Sequence, residues 1–161
     1  MQEKVVIIDN VRSAHNVGSI FRTADGAGVS KVYLIGPTPT PVDRFGRIQT
    51  EISKTSLGAS ESVAWEHVGT SERKSTEEAI SLILKLKQKG FVVVAIEQDA
   101  RASSFYDFKV PEKVAYIFGA EVEGVQREII NAADKIVEIP MQGMKESLNV
   151  SVTAGVVLFR G

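Results

Sequence analysis

Three short stretches of this chain set polar side chains and glycines in patterns that suit chemistry. From Ser147 to Thr153 the residues Ser147, Asn149, Ser151 and Thr153 alternate with Leu148, Val150 and Val152. Polar groups crowded among apolar ones are costly to bury unless hydrogen-bonded, so the stretch signals either dense local bonding or a ligand. The plainer role for Ser147 or Asn149 is to cap the last helix. A second stretch, from Phe118 to Gly124, carries Glu121 and Glu123 directly after an apolar run. They serve either a site or a helix N-terminus, which favours acidic residues. In the third stretch, from Asn16 to Ala24, Arg22 falls beside Phe21 and Ala24 in a helical pattern, near the expected inner face. An arginine there pairs with a carboxylate or receives a phosphate.

Familiar ligand motifs do not account for these stretches. Gly119 and Gly124 lack the middle glycine of a dinucleotide fingerprint, and Val125 and Gln126 stand where a P-loop needs lysine and a hydroxyl residue. No metal is expected, because His15 and His67 are far apart in the chain with no supporting cluster. His67 reads as a surface residue and Trp65 as core.

The elements that must position these residues follow from the apolar runs. Lys4–Asp9, Lys31–Ile35, Phe91–Ile96, Val114–Phe118 and Lys135–Ile139 read as strands buried on both faces, and Ser62–Trp65 as a further strand. Helical spacing begins at Asn16, with Val17, Ile20, Phe21, Ala24 and Ala27 apolar, and Gly26 or Gly28 as its stop. A short helix is predicted over Ile48–Leu57, and others over Val125–Ala133 and Val150–Phe159. The clearest helix spans 76–89. Ser75 and Glu78 form its capping-box pattern, Ala79, Ile80, Ile83, Leu84 and Leu86 its apolar stripe, and Gly90 its left-handed C-cap. The prolines from Pro37 to Pro41 hold an extended segment. Strands alternating with helices imply an α/β fold, a mainly parallel sheet with helices on both faces. In such sheets ligands bind beyond the carboxyl ends of strands, where all three polar stretches fall.

At 161 residues the chain fits one domain of the usual ~100–200 residues. It has no cysteine and hence no disulfide framework. With no long apolar run and no signal-peptide pattern at its start, it is expected in the cytoplasm and away from membranes. A net charge of −1 is not the global footprint of a nucleic-acid binder. A polyanion must be met by a local patch, for which Arg12, Arg22, Arg44, Arg47 and Lys54 offer themselves, thinly offset by Asp25, Asp43 and Glu51.

Together, the three stretches resemble the motifs of the SpoU (TrmH-like) branch of the SPOUT superfamily, the RNA ribose 2′-O-methyltransferases. The first motif is matched by Asn16, Gly18, Ser19, Arg22, Thr23 and Ala24, and the second by Phe118, Gly119, Ala120, Glu121 and Gly124. The third is matched by Ile139, Pro140, Met141, Ser147, Leu148, Asn149 and Val150. They occur in family order from Asn16 to Phe159. The resemblance implies transfer of methyl from S-adenosyl-L-methionine to a ribose 2′-hydroxyl of tRNA or rRNA. It also implies a homodimer and a C-terminal deep trefoil knot, which general topology rules would not suggest. By similarity, Gly119, Gly124, Ile139, Met141 and Leu148 hold the cofactor, while Arg22, Asn16, Glu121, Ser147 and Asn149 form the catalytic centre. The chain starts almost at its first strand, so residues 1–161 are expected to form one catalytic domain with no appended RNA-binding domain. RNA would then be gripped by the dimer's own surface, through Arg12, His15, Arg44, Arg47 and Lys54. Two rivals remain at this point: a catalytically silent RNA- or nucleotide-binding module on the same fold, and a small-molecule Rossmann enzyme.

Overall fold

The computed structural model describes residues 1–69 and 74–160. Its elements run β1 (Glu3–Asp9), α1 (Ala14–Gly26), β2 (Val29–Ile35), α2 (Thr50–Ser56), α3 (Ala59–Ser62) and β3 (Ala64–Val68). They continue as α4 (Ser75–Gln88), β4 (Val92–Ile96), β5 (Ser103–Ser104), β6 (Lys113–Gly119), α5 (Arg127–Ala132), β7 (Lys135–Glu138) and α6 (Val150–Leu158). The strands form one sheet in the order β3-β2-β1-β6-β4-β7-β5, and each pairing in it is parallel.

Alternation along the strands explains why apolar runs were needed. In β1, Val6 and Ile8 enter the core shared with α1, α2, α3 and α6, and Val5 and Ile7 enter the core shared with α4 and α5. Both faces of the sheet are thus covered, as in other parallel sheets. The two-residue edge strand β5 has too few residues to show any periodicity in the sequence.

Several local expectations are corrected. α1 begins two residues earlier than the apolar pattern, because Ser13 caps it by accepting the backbone N–H of Asn16 at 3.2 Å. The Ser75–Glu78 capping box does not form: Lys74 is the N-cap, with no side-chain cap bond, and Ser75 is the first helical residue. Ser75 is buried there, so close to Gly69 that a Cβ on that glycine would lie 2.5 Å from its Cα. Leu84 is exposed, because Ala79, Ile83 and Leu86 already define the buried side of α4. The turn after α4 is as expected, with Gly90 at φ 89°. Trp65 packs half-buried against the core. His67 is half-buried rather than on the surface, with Nε2 2.6 Å from the Gly36 carbonyl oxygen.

Among the described residues, no helix is long and apolar enough to cross a membrane. The two ends of the fold meet at Lys4, whose buried Nζ donates to the Leu158 carbonyl at 2.9 Å in the last turn of α6. A cation at a helix C-terminus meets both the dipole and an otherwise orphaned carbonyl. Replacing Lys4 by Met keeps the apolar stem but removes this bond. It is expected to lower the unfolding free energy by roughly 1.5–3 kcal/mol, and an unchanged urea midpoint would show that the contact contributes nothing.

Candidate active site

The carboxyl ends of β4, β6 and β7 open into a cleft of about 340 Å³. One wall is the segment after β6. There Gly124 N–H donates to the Ala120 carbonyl at 2.8 Å, closing a tight loop. This loop requires glycine at two places. A Cβ at Gly119 would lie 2.2 Å from the Val125 nitrogen, and Gly124 adopts φ +67° with its α-carbon against the Glu97 carboxylate. Glu97, at the end of β4, accepts Val125 N–H at 2.9 Å through Oε2 and so pins the loop from behind. The opposite wall is the 138–148 segment after β7, joined to the end of β4 by a hydrogen bond from Gln98 Nε2 to the Glu146 carbonyl.

All five expected cofactor residues, Gly119, Gly124, Ile139, Met141 and Leu148, line this cleft, together with Glu121 and Ser147. A second hollow of about 280 Å³ lies across the 120–123 segment, between it and the 10–16 stretch. Asn16 and Arg12 line that one.

At the junction of the two hollows sits one carboxylate oxygen. Glu121 Oε1 accepts from Asn16 Nδ2 at 2.8 Å and from Asn149 Nδ2 at 2.9 Å. Asn149 Nδ2 also lies 3.4 Å from Asn16 Oδ1. The Asn149 amide cannot be turned over, since its Oδ1 accepts from Ser151 N–H at 2.9 Å and from the Ser151 hydroxyl at 2.6 Å. Asn149 thus fills both roles open in the sequence: its oxygen caps α6 and its nitrogen binds Glu121. The other Glu121 oxygen has no hydrogen bond among the described residues and is left as an unused acceptor.

Arg22 is placed differently from the expectation. Val17, Ile20, Phe21 and Ala24 form the buried side of α1, and His15, Arg22 and Gly26, at i, i+7 and i+11, fall on the opposite, exposed side. Phe21 and Ala24 flank Arg22 in sequence, but a step of ~100° per residue turns it outward. Its guanidinium has no hydrogen-bond or ion-pair partner among the described residues, and Arg22 lines neither hollow of its own chain. Of the basic residues expected to meet RNA, Arg12 and His15 are exposed at the start of α1, Arg44 and Arg47 on the turn before α2, and Lys54 on α2. Among the described residues, no group of three or more His, Cys, Asp or Glu side chains is arranged to hold a metal.

Two supports of the site were missed in the sequence, Glu97 and Asp9. Each is an acid just at or after the end of an apolar strand, which reads as a solvated loop residue.

The SpoU rRNA Methylase family model matches residues 3–159 of the chain. Over 156 residues the chain is 36% identical to the 23S rRNA (guanosine-2′-O-)-methyltransferase RlmB of Ralstonia nicotianae, covering 96% of this chain and 56% of that protein. It is also 36% identical over 156 residues to the tRNA (guanosine(18)-2′-O)-methyltransferase of Thermus thermophilus, covering 96% of this chain and 71% of that protein. Its structure is similar to that of an AdoMet-bound rRNA methyltransferase from Sinorhizobium meliloti, with a TM-score of 0.80 and 26% identity over 98% of this chain and 54% of that one. The chain therefore spans little more than half the length of the rRNA-modifying relatives.

One of the two supports behind the loop is itself a titrating group. Asp9, fully buried at the end of β1, accepts Gln126 N–H and Gln126 Nε2, both at 2.9 Å. Gln126 in turn accepts from the Thr76 hydroxyl at 2.7 Å. Burial pushes the Asp9 carboxyl above its ordinary 3.8, against the lowering effect of the Gln126 bonds. The folded state therefore favours the protonated form. The stability this gives is complete below the unfolded-state pKa and is lost as pH rises through the higher folded-state value. In urea titrations, the native chain is expected to gain stability relative to Asp9→Asn as the pH falls from about 7 towards about 4. A gain in the opposite direction would show that Asp9 is held as a stabilised anion.

Proposed function

Because the chain belongs to the SpoU rRNA methylase family, we propose that it transfers a methyl group from S-adenosylmethionine to a ribose 2′-hydroxyl of tRNA or rRNA, in the cytoplasm. The observation that carries this reading is the Asn16–Glu121–Asn149 junction at the edge of a glycine-walled cleft. A silent binding module has no use for an anion held by two amides with its second oxygen left free. The absent glycine fingerprint disfavours a dinucleotide enzyme.

The cleft fits the cofactor by size and by lining. At about 340 Å³ it lies in the range of small-molecule sites, ~300–1,000 Å³. Backbone reaches its surface at Gly119, where a side chain would collide with the loop, and at Gly124, where one would collide with the Glu97 carboxylate. Bound there, S-adenosylmethionine supplies a methyl group already activated on a sulfonium. What remains for the protein is to align the 2′-oxygen with that methyl and to favour loss of the hydroxyl proton.

Arg22 is the residue we assign to the second task, as a fixed positive charge beside the developing oxyanion. A guanidinium with a pKa above ~12 is a poor proton acceptor. Since Arg22 faces away from its own cleft, we infer a homodimer in which the partner subunit's Arg22 reaches it. α1 and α6 run side by side in the same direction. Asn16 meets Asn149 at their starts, and at their ends a Cβ on Gly26 would lie 3.2 Å from the Phe159 ring. On α6, Val152, Val156 and Phe159 leave a helically spaced apolar stripe exposed beside the outward face of α1. Burying that stripe against a second copy would carry Arg22 into the interface. Asn16, Glu121 and Asn149 then orient the guanidinium through the free Glu121 oxygen, and Ser147 on the cleft wall faces the nucleotide. The deep C-terminal knot belongs to the same proposal. It is supported by the return of the chain, after β7, to set α6 against α1 and the first strand.

Incubation of total RNA with labelled S-adenosylmethionine, followed by mapping of the modified ribose, tests the activity. Absence of ribose label would refute it. Arg22→Ala is expected to lower turnover by about 100–1,000-fold while leaving S-adenosylmethionine affinity by calorimetry unchanged. Equal loss of both would make Arg22 scaffolding.

RNA would be gripped by the surface of this domain itself, through Arg12, His15, Arg44, Arg47 and Lys54. Affinity should then fall steeply with salt, and Lys54→Ala should reduce the slope of log K against log salt by about 1. A flat salt dependence for the native chain would remove this patch from RNA binding.

A further inference from the structure

Between β2 and α2 the chain builds a small, tightly bonded turn. Val42 and Ile48 pair as an antiparallel bridge, and Gln49 N–H donates to the Pro41 carbonyl at 2.9 Å. Inside it, the Asp43 carboxylate accepts Phe45 N–H at 2.8 Å, Arg47 N–H at 2.9 Å and Arg47 Nε at 2.7 Å. Gly46 closes the turn at φ +78°. The backbone at the tip is therefore held in one shape without help from the core.

That shape presents an aromatic ring to solvent. Phe45 is 66% exposed, with the guanidinium carbons of Arg44 and Arg47 at 4.7 Å and 5.0 Å from its ring centre. The two arginines differ in freedom. Arg47 is tied to Asp43, whereas Arg44 has no carboxylate partner among the described residues. Both guanidinium groups lie over this exposed ring, one fixed by Asp43 and one free. A base that displaces Arg44 from the ring therefore gains a stacking surface and leaves Arg44 to meet a phosphate. Bases stack on such rings regardless of sequence, and arginine serves the adjoining backbone.

We infer that this tip is a binding site for an unpaired nucleotide of the substrate RNA, with the base stacked on Phe45 and Arg44 on the flanking phosphate. The inference rests on RNA being the substrate class, and it adds a contact outside the cleft and the α1–α6 face.

The test uses the full chain and a short oligoadenylate. Phe45→Ala is expected to weaken oligoadenylate binding roughly tenfold with the salt slope unchanged, since the ring carries no charge. Arg44→Ala is expected to lower that slope by about 1. Phe45→Trp should bind as the native chain does and show emission quenched by oligoadenylate, beyond any response of Trp65 in the native protein. Circular dichroism and S-adenosylmethionine binding confirm that each variant is folded. Native-like binding by Phe45→Ala, or an unquenched Phe45→Trp that still binds, would overturn the inference and leave the methyltransferase reading intact. A loss of dimer mass for Phe45→Ala in sedimentation would overturn it in favour of a seat for a second copy. Failure of the native chain to bind any RNA would instead strike the methyltransferase reading on which it rests.

Discussion

One carboxylate oxygen organises the site. Glu121 Oε1 joins a residue 105 positions earlier to one 28 positions later, and both bonds are strengthened by its charge. Its position depends on the loop that carries it. The loop is tight because Gly119 leaves its inner surface free of a side chain, because Gly124 lets the Glu97 carboxylate close against it, and because Glu97 and Asp9 each accept a backbone N–H just beyond it. Three acids at the ends of β1, β4 and β6 thus do different work. Two hold backbone, and the third joins α1 to α6 at the edge of both hollows. Polar groups at the carboxyl ends of parallel strands are expected where the strand order reverses, and β1 and β6 flank such a place.

The fold was readable because burial on both faces leaves a strong trace. A parallel strand covered by helices above and below must be apolar throughout, so β1, β2, β4 and β6 could be located as runs. The polar stretches after them were equally visible, since serines and asparagines set among valines demand partners. Direction was not readable. Arg22 sits between Phe21 and Ala24 in sequence and on the opposite side of the helix from them. Glu97 and Asp9 were hidden for another reason. Their partners are backbone amides of a loop far along the chain, and an amide leaves no mark in composition. Ser75 was visible, as a helix cap, but its burial against Gly69 and Gly36 was not.

Charge is distributed with similar economy. A chain with a net charge of −1 meets a polyanion only if its cations are left unneutralised where contact occurs. Arg22 and Arg44 have no carboxylate partner among the described residues, while Arg47 and Arg101 are held by nearby aspartates. These two arginines stand on outward surfaces, one on α1 and one on the turn before α2. Surface ion pairs of the second kind add little stability, and the pair at Asp43 instead shapes a turn.

The bond between Lys4 and Leu158 spans 154 positions, which gives the first strand an unusual dependence during synthesis. A ribosome adds about 5–20 residues per second, so the lysine ammonium waits on the order of ten to thirty seconds before its carbonyl exists. For much of that interval β1 also lacks β6, its neighbour on one side, while β2 is made early enough to pair with the other. Until β6 is made, the nascent chain keeps one edge of this apolar strand open to chaperones or to premature pairing.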